Sequence, residues 1–191
     1  MNAFTVTGLA TAALLERSLS YALGCVNEVT PADLANPTPC AQWDLRALLW
    51  HVSDSLSALI EGGAYGSIQL GVPANSPDPL AQFRGRAAAV LGAWSDPAMQ
   101  RPIKLGDAAL PPAVVASVGA LEIAVHGWDI ARSRRAPRPI PESLAADLLP
   151  LGPPLIGAAG RTAMFAPAVR VPDTASAGDR LLALVGRQPH G

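Results

Sequence analysis

Prolines punctuate this chain more firmly than any other feature. Proline fixes φ, lacks a backbone N–H and costs about 3 kcal/mol inside a helix, so helices are confined to the stretches between prolines. The 19 prolines gather in short clusters: Pro37-Thr38-Pro39, Pro77-Asp78-Pro79, Pro111-Pro112, Pro137-Arg138-Pro139 and Pro153-Pro154. They leave open windows at 1–30, 40–72, 80–96, 113–136, 142–149, 155–166 and 173–188. The clusters are short enough to be loops inside one domain spanning 1–191, and no internal repeat or low-complexity tract is present.

Helical periodicity fills the larger windows. In the second, Leu45, Leu48, Leu49, Val52, Leu56, Leu59 and Ile60 follow the i, i+3, i+4, i+7 pattern, with Asp44 as N-cap and Gly62-Gly63 as the expected stop. In the fourth, Val114, Val118, Leu121, Val125 and Trp128 form one stripe, and Arg132, Arg134 and Arg135 sit where cations favour the negative end of the helix dipole. Ile103-Lys104-Leu105, Gly106-Asp107 and Ala109-Leu110 read as a small hairpin leading into that helix, and Val169-Arg170-Val171 as one more extended piece. Four long helices with proline-marked connections predict a mainly α fold, a helix bundle. A shorter helix over 142–149 or 155–162, and another over 176–186, are expected outside it.

Composition narrows the class. Half the residues are apolar and only 15% are charged, which excludes intrinsic disorder. A formal charge of −1 without a basic patch argues against nucleic acid and against a polybasic membrane surface. No run reaches the roughly 18 uncharged apolar residues of a membrane helix. Glu16 and Arg17 interrupt what would be the apolar core of a signal peptide. Two cysteines, Cys25 and Cys40, cannot build a disulfide framework, so reduced thiols in a cytoplasmic protein are expected.

The residues able to carry chemistry are few. His190 is next to the last residue and is set aside, leaving His51 on the second helix and His126 on the fourth. Glu122 and His126 are i, i+4 neighbours on a helix that is apolar nearly all round, so an acid and an imidazole sit one turn apart in buried surface. A buried carboxylate needs a partner. Two solutions fit the spacing: a hydrogen-bonded polar pair, or a divalent metal gripped by both side chains, with His51 as a third ligand. His51 with Ser53 and Asp54 lacks the geometry of a catalytic triad, and no Gly-x-Gly-x-x-Gly, P-loop or Cys-x-x-Cys stretch occurs. Trp43, Trp50, Trp94 and Trp128 read as core or core-rim residues, Cys40 as structural, and Arg84 and Arg86 as solvated helix residues.

Two stretches resemble a known family. Pro37-Thr38-Pro39-Cys40-Ala41-Gln42-Trp43-Asp44, running into the helix of His51, is similar to the first motif of the mycothiol-dependent maleylpyruvate isomerase family. Glu122-Ile123-Ala124-Val125-His126-Gly127-Trp128-Asp129 is similar to its second. The tail, from Phe165 to Asp173 and from Asp179 to Arg187, resembles a compact branch of it. The resemblance implies a DinB-like four-helix bundle with a divalent metal, zinc or else nickel, held by His51, Glu122 and His126. It implies mycothiol or a similar thiol as cosubstrate and a small-molecule electrophile as partner, in a monomer or homodimer. The activity to expect is that of a transferase or isomerase-like metalloenzyme, in which metal-held sulfur attacks an electrophilic carbon. A hydrolase using metal-bound water and a non-catalytic bundle that sequesters a metal or small molecule are the alternatives. The family's isomerase has a C-terminal domain supplying a catalytic arginine, which this chain does not extend to, so efficient isomerisation of maleylpyruvate is not expected. Leu48, Val115, Ile123, Ile130 and Trp43 or Trp50 are expected to line an apolar cavity beside the metal.

Overall fold

A computed structural model of the chain describes residues 8–40, 43–69, 71, 76–96, 101–136, 138–156 and 166–189. Two compact units are present, Val6–Arg138 and one that includes Pro139–Gly191.

The larger unit is built on four helices: α1 (Gly8–Val26), α2 (Leu45–Tyr65), α3 (Pro79–Ala93) and α4 (Pro112–Ser133). Each starts or stops where the proline pattern allows. Asp44 caps α2 by accepting from Ala47 N at 2.8 Å, and Asp78 caps α3 by accepting from Leu80 N and Ala81 N. α4 packs along both α1 and α2, while α3 lies against α2 and more lightly against α1. The core follows the periodicities: Leu15, Leu19, Ala22 and Val26 on α1; Leu45, Leu48, Leu49, Val52 and Leu56 on α2; Phe83, Ala87 and Val90 on α3. This is the expected mainly α bundle.

Two details of the helices differ from expectation. α2 runs through Gly62-Gly63 and ends at Gly66, which takes the left-handed conformation at φ 68° and donates to Gly62 O. Of the two earlier glycines inside the helix, Gly63 is the one closely approached, by Ala93 and Trp94. On α4, Val118 is 48% exposed although it belongs to the apolar stripe. With α1 and α2 both on α4, the burial is set by two neighbours and leaves a strip at Val114 and Val118 that neither covers completely. From Ile123 to Ala131 every residue of α4 is buried. The helix is long and apolar enough to cross a membrane by length and composition, yet 78% of that window is buried inside the protein, as in a core helix.

The hairpin is formed by β2 (Ile103–Leu105) and β3 (Ala108–Leu110), antiparallel, with Ile103 opposite Leu110. A strand that periodicity cannot register, β1 (Ser67–Ile68), joins it in parallel with Ser67 opposite Lys104. In the second unit α5 (Glu142–Leu148) packs on α7 (Ala177–Leu184), with α6 (Gly152–Ile156) between them in sequence. Ser176 caps α7 by accepting from Asp179 N. The short helix is therefore at 142–148, and most of the alternative over 155–162 lies outside the described residues. Val169 to Val171 form no strand; Val169 N donates to Ala183 O. Phe165, Ala41, Gln42 and His190 also lie outside the described residues.

Gly63 gives a packing test. Alanine there would gain about 0.5–1 kcal/mol of helix propensity. Its Cβ, however, would meet Ala93 O at 2.9 Å and Trp94 Nε1 at 2.9 Å. That indole is held by its own hydrogen bond to Leu59 O. Overpacking of this kind costs about 1–3 kcal/mol, which outweighs the propensity gain. Gly63→Ala is expected to lower the thermal midpoint by several degrees in a calorimetric scan, and an unchanged or raised midpoint contradicts this packing.

Candidate metal centre

The contact of α2 with α4 brings three distant side chains to one point. α2 places His51 at the edge of its buried stripe, with its side chain 37% exposed. α4 places Glu122 and His126 one turn apart. Glu122 Oε1 lies 2.8 Å from His51 Nε2 and 3.3 Å from His126 Nε2. The ligand atoms of the three all fall within 4.8 Å of one another. Ser55, one turn after His51, donates to Glu122 Oε1 at 3.4 Å.

The electrostatics are those of a compact ionic cluster. Burial alone would push the Glu122 carboxyl up, but the charge on His126 and hydrogen bonds from both imidazoles hold it well below the usual carboxylate range. Burial alone would push His126 down, but the Glu122 charge and the hydrogen bond to Asp129 raise it well above the ordinary histidine value. Two imidazole nitrogens and a carboxylate oxygen form a donor set that fits a divalent cation of the zinc or nickel kind. A cation there would take the place of the protons that Glu122 Oε1 shares with the two rings. The donors thus fit the ion that the resemblance implies.

Sequence reasoning missed two contributors, Asp129 and Cys40, while Trp43 stands beside the cluster as expected. Asp129, without exposed surface, accepts from His126 Nδ1 at 2.9 Å, on the ring edge opposite Glu122. Its signal was available as an acid at i+3 from a buried histidine. Cys40, expected to be merely structural, has its Sγ 3.5 Å from Asp129 Oδ2 and 4.0 Å from His126 Nδ1. Cys40, His126 and Asp129 are a second group of potential metal donors within 4.8 Å. Trp43 is 36% exposed, so it is a rim residue, and its ring centroid lies 4.5 Å from that of His51. Trp94 and Trp128 are buried, while Trp50 is half-buried and donates to Ser76 O.

The apolar lining is different from the expected one. Leu48, Ile123 and Ile130 have no exposed surface and Val115 has 7%, so they belong to the packed core and not to a cavity wall. A helical wheel shows which face they share with the site but not how deep the neighbouring helix buries them. Trp43, His51 and Glu122 keep exposed surface at the cluster, and Val118, exposed, lies one turn before Glu122 on α4. Among the cations, Arg46 lies over the Trp50 ring, Arg86 pairs with Asp54 at 3.3 Å, and Arg84 donates to Asn27.

Comparison with known proteins gives the family and the fold. Residues 15–131 match the family model of the mycothiol maleylpyruvate isomerase N-terminal domain. No curated protein matches the chain. Among solved structures, the crystal structure of the mycothiol-dependent maleylpyruvate isomerase is similar with a TM-score of 0.60 at 16% identity, over 78% of this chain and 71% of that one. A histidine-to-alanine mutant of that isomerase aligns equally, with a TM-score of 0.59 at 16% identity and the same coverage. At that identity the likeness establishes the fold, a DinB-like bundle.

The ionic cluster makes a prediction that needs no metal. Glu122→Gln removes the charge that both imidazoles share, and hydrogen bonds to charged groups are worth about 1.5–3 kcal/mol. Chelator-treated Glu122→Gln is expected to lose that much stability in urea titrations at neutral pH. An unchanged midpoint would mean that the carboxylate is not engaged by the histidines.

Proposed function

Since the chain belongs to the mycothiol maleylpyruvate isomerase N-terminal domain family, we propose that it is a metal-dependent enzyme that uses mycothiol or a similar low-molecular-weight thiol on an electrophilic small molecule. The observation that carries this reading is the convergence of His51 Nε2, Glu122 Oε1 and His126 Nε2 on one point. In this proposal those three atoms hold zinc, with nickel as the other cation suited to the set. Three protein donors leave a position open for a small molecule. A divalent cation bound there would lower the pKa of a thiol and so supply a sulfur nucleophile at neutral pH.

The chain's own residues have separable tasks. His51 and His126 present imidazole nitrogens from two different helices, so the packing of α2 on α4 sets their separation. Glu122 balances charge between them, and the Ser55 hydroxyl holds its Oε1. Trp43 offers the exposed aromatic surface nearest His51, which favours an electrophile with an apolar or aromatic body. A dicarboxylate needs cationic partners, for which bidentate arginine is the usual choice. Arg46 of α2 lies over the Trp50 ring and Arg86 of α3 pairs with Asp54, and neither is seen at the three donor atoms. Transfer of sulfur to carbon, or addition followed by elimination, is therefore preferred to isomerisation of maleylpyruvate. A cytoplasmic location, where such thiols are kept reduced, suits this chemistry.

Metal analysis and spectroscopy test the proposal. The purified protein is expected to carry about one zinc or nickel ion per chain, and His126→Ala to lose most of it, as a three-donor site requires. Equal content in both defeats the assignment. With cobalt in the site, mycothiol should produce a sulfur-to-metal charge-transfer band that an alcohol does not. Absence of a change with any thiol would favour hydrolysis or sequestration. Rapid conversion of maleylpyruvate to its fumaryl isomer with mycothiol would overturn the substrate preference.

A further inference from the structure

The loop that delivers Cys40 and Trp43 is closed at its base and braced inside. Leu45 N donates to Asn36 O at 2.9 Å, and Pro37 bridges Asp44. Inside it, Trp43 N donates to Cys40 O, Thr38 Oγ1 donates to Trp43 O at 2.8 Å, and Cys40 N donates to Thr38 Oγ1. One threonine hydroxyl thus ties together the backbones of the two residues that reach the cluster. Those residues reach it at different histidines. Trp43 packs on the His51 ring at 4.5 Å, tilted by 41°. Cys40 Sγ reaches Asp129 Oδ2, the same oxygen that accepts from His126 Nδ1.

From this geometry we infer that the loop is a clamp on the candidate centre. Trp43 and the Cys40–Asp129 pair are positioning residues that set the orientation of the His51 and His126 rings. The inference rests on the proposed metal centre and goes beyond it by giving the Thr38-Pro39-Cys40 stretch a task. Imidazole can present only one unprotonated nitrogen when neutral, and a carboxylate on the other nitrogen decides which one it is. Asp129 on Nδ1 keeps the proton there and leaves Nε2 for the cation. The Cys40 thiol is a second donor to Asp129 Oδ2, so it helps hold that carboxylate against His126. At His51, where Nε2 faces Glu122, the indole restricts rotation of a ring whose side chain is 37% exposed.

The test uses zinc affinity by chelator competition, together with 15N NMR of the histidine rings in the zinc-loaded chain. The wild type should show a protonated Nδ1 and a ligated Nε2 at His126. Asp129→Ala is expected to weaken zinc binding by about 10–100-fold, the usual effect of removing such a partner. Asp129→Asn, which can still accept from Nδ1, should recover part of the loss, and it keeps the test valid should the alanine variant fail to fold. Trp43→Ala should weaken zinc binding while Trp43→Phe restores it, and Cys40→Ser, which keeps a donor, should bind better than Cys40→Ala. Wild-type affinity in both Asp129→Ala and Trp43→Ala, or a ligated Nδ1 at His126, overturns the clamp. If instead the wild type binds no zinc, or His51→Ala binds it equally well, the metal centre itself is refuted.

Discussion

A carboxylate set into an apolar helix constrains everything around it. Glu122 lies on α4 just before a stretch whose every residue is buried, and taking an unpaired charge out of water costs several kcal/mol. It is satisfied by two imidazoles, one from its own helix and one from α2. The second contact is long-range and therefore informative. A rotation of α2 by one residue, about 100°, would carry His51 off the shared face and leave Glu122 with one partner fewer. The polar cluster and the apolar stripes of α2 and α4 thus specify the same packing, and that agreement marks a well-determined fold.

Much of this was legible in the residues because helices impose a period on sequence. The spacing of Glu122 and His126, the stripe of α2 and the cap at Asp44 are all local, and proline spacing limits where each helix can run. His51 was visible as a candidate but its contact with Glu122 was not, since that depends on how two helices meet. Asp129 lay within reach of the same periodic argument, at i+3 from His126. Cys40 and Trp43 did not, because a loop's path is set by hydrogen bonds such as those of Thr38, which carry no period. Leu48, Ile123 and Ile130 illustrate another limit. Their face was evident, but whether a face borders a cavity or a packed core depends on the depth of its neighbours.

The cluster is asymmetric around His126. One ring edge faces Glu122 and His51, which both keep exposed surface. The other faces Asp129 and Cys40, where a carboxylate is completely buried. In the proposed centre this division would separate the side open to a small molecule from the side that supports the ligand ring. The loop before α2 is also tied to α4, since Trp43 packs on His51 and Cys40 lies 4.0 Å from His126 Nδ1.

The central claim is that the cation is held by His51, Glu122 and His126 and not by the neighbouring group of Cys40, His126 and Asp129. X-ray absorption at the zinc edge decides between them directly, since zinc–sulfur distances of about 2.3 Å stand apart from zinc–nitrogen and zinc–oxygen distances of about 2.0–2.2 Å. The zinc-loaded chain without added thiol should show a nitrogen and oxygen shell with the scattering signature of two imidazoles and no sulfur. A sulfur neighbour in that sample, or the signature of a single imidazole, would contradict the account.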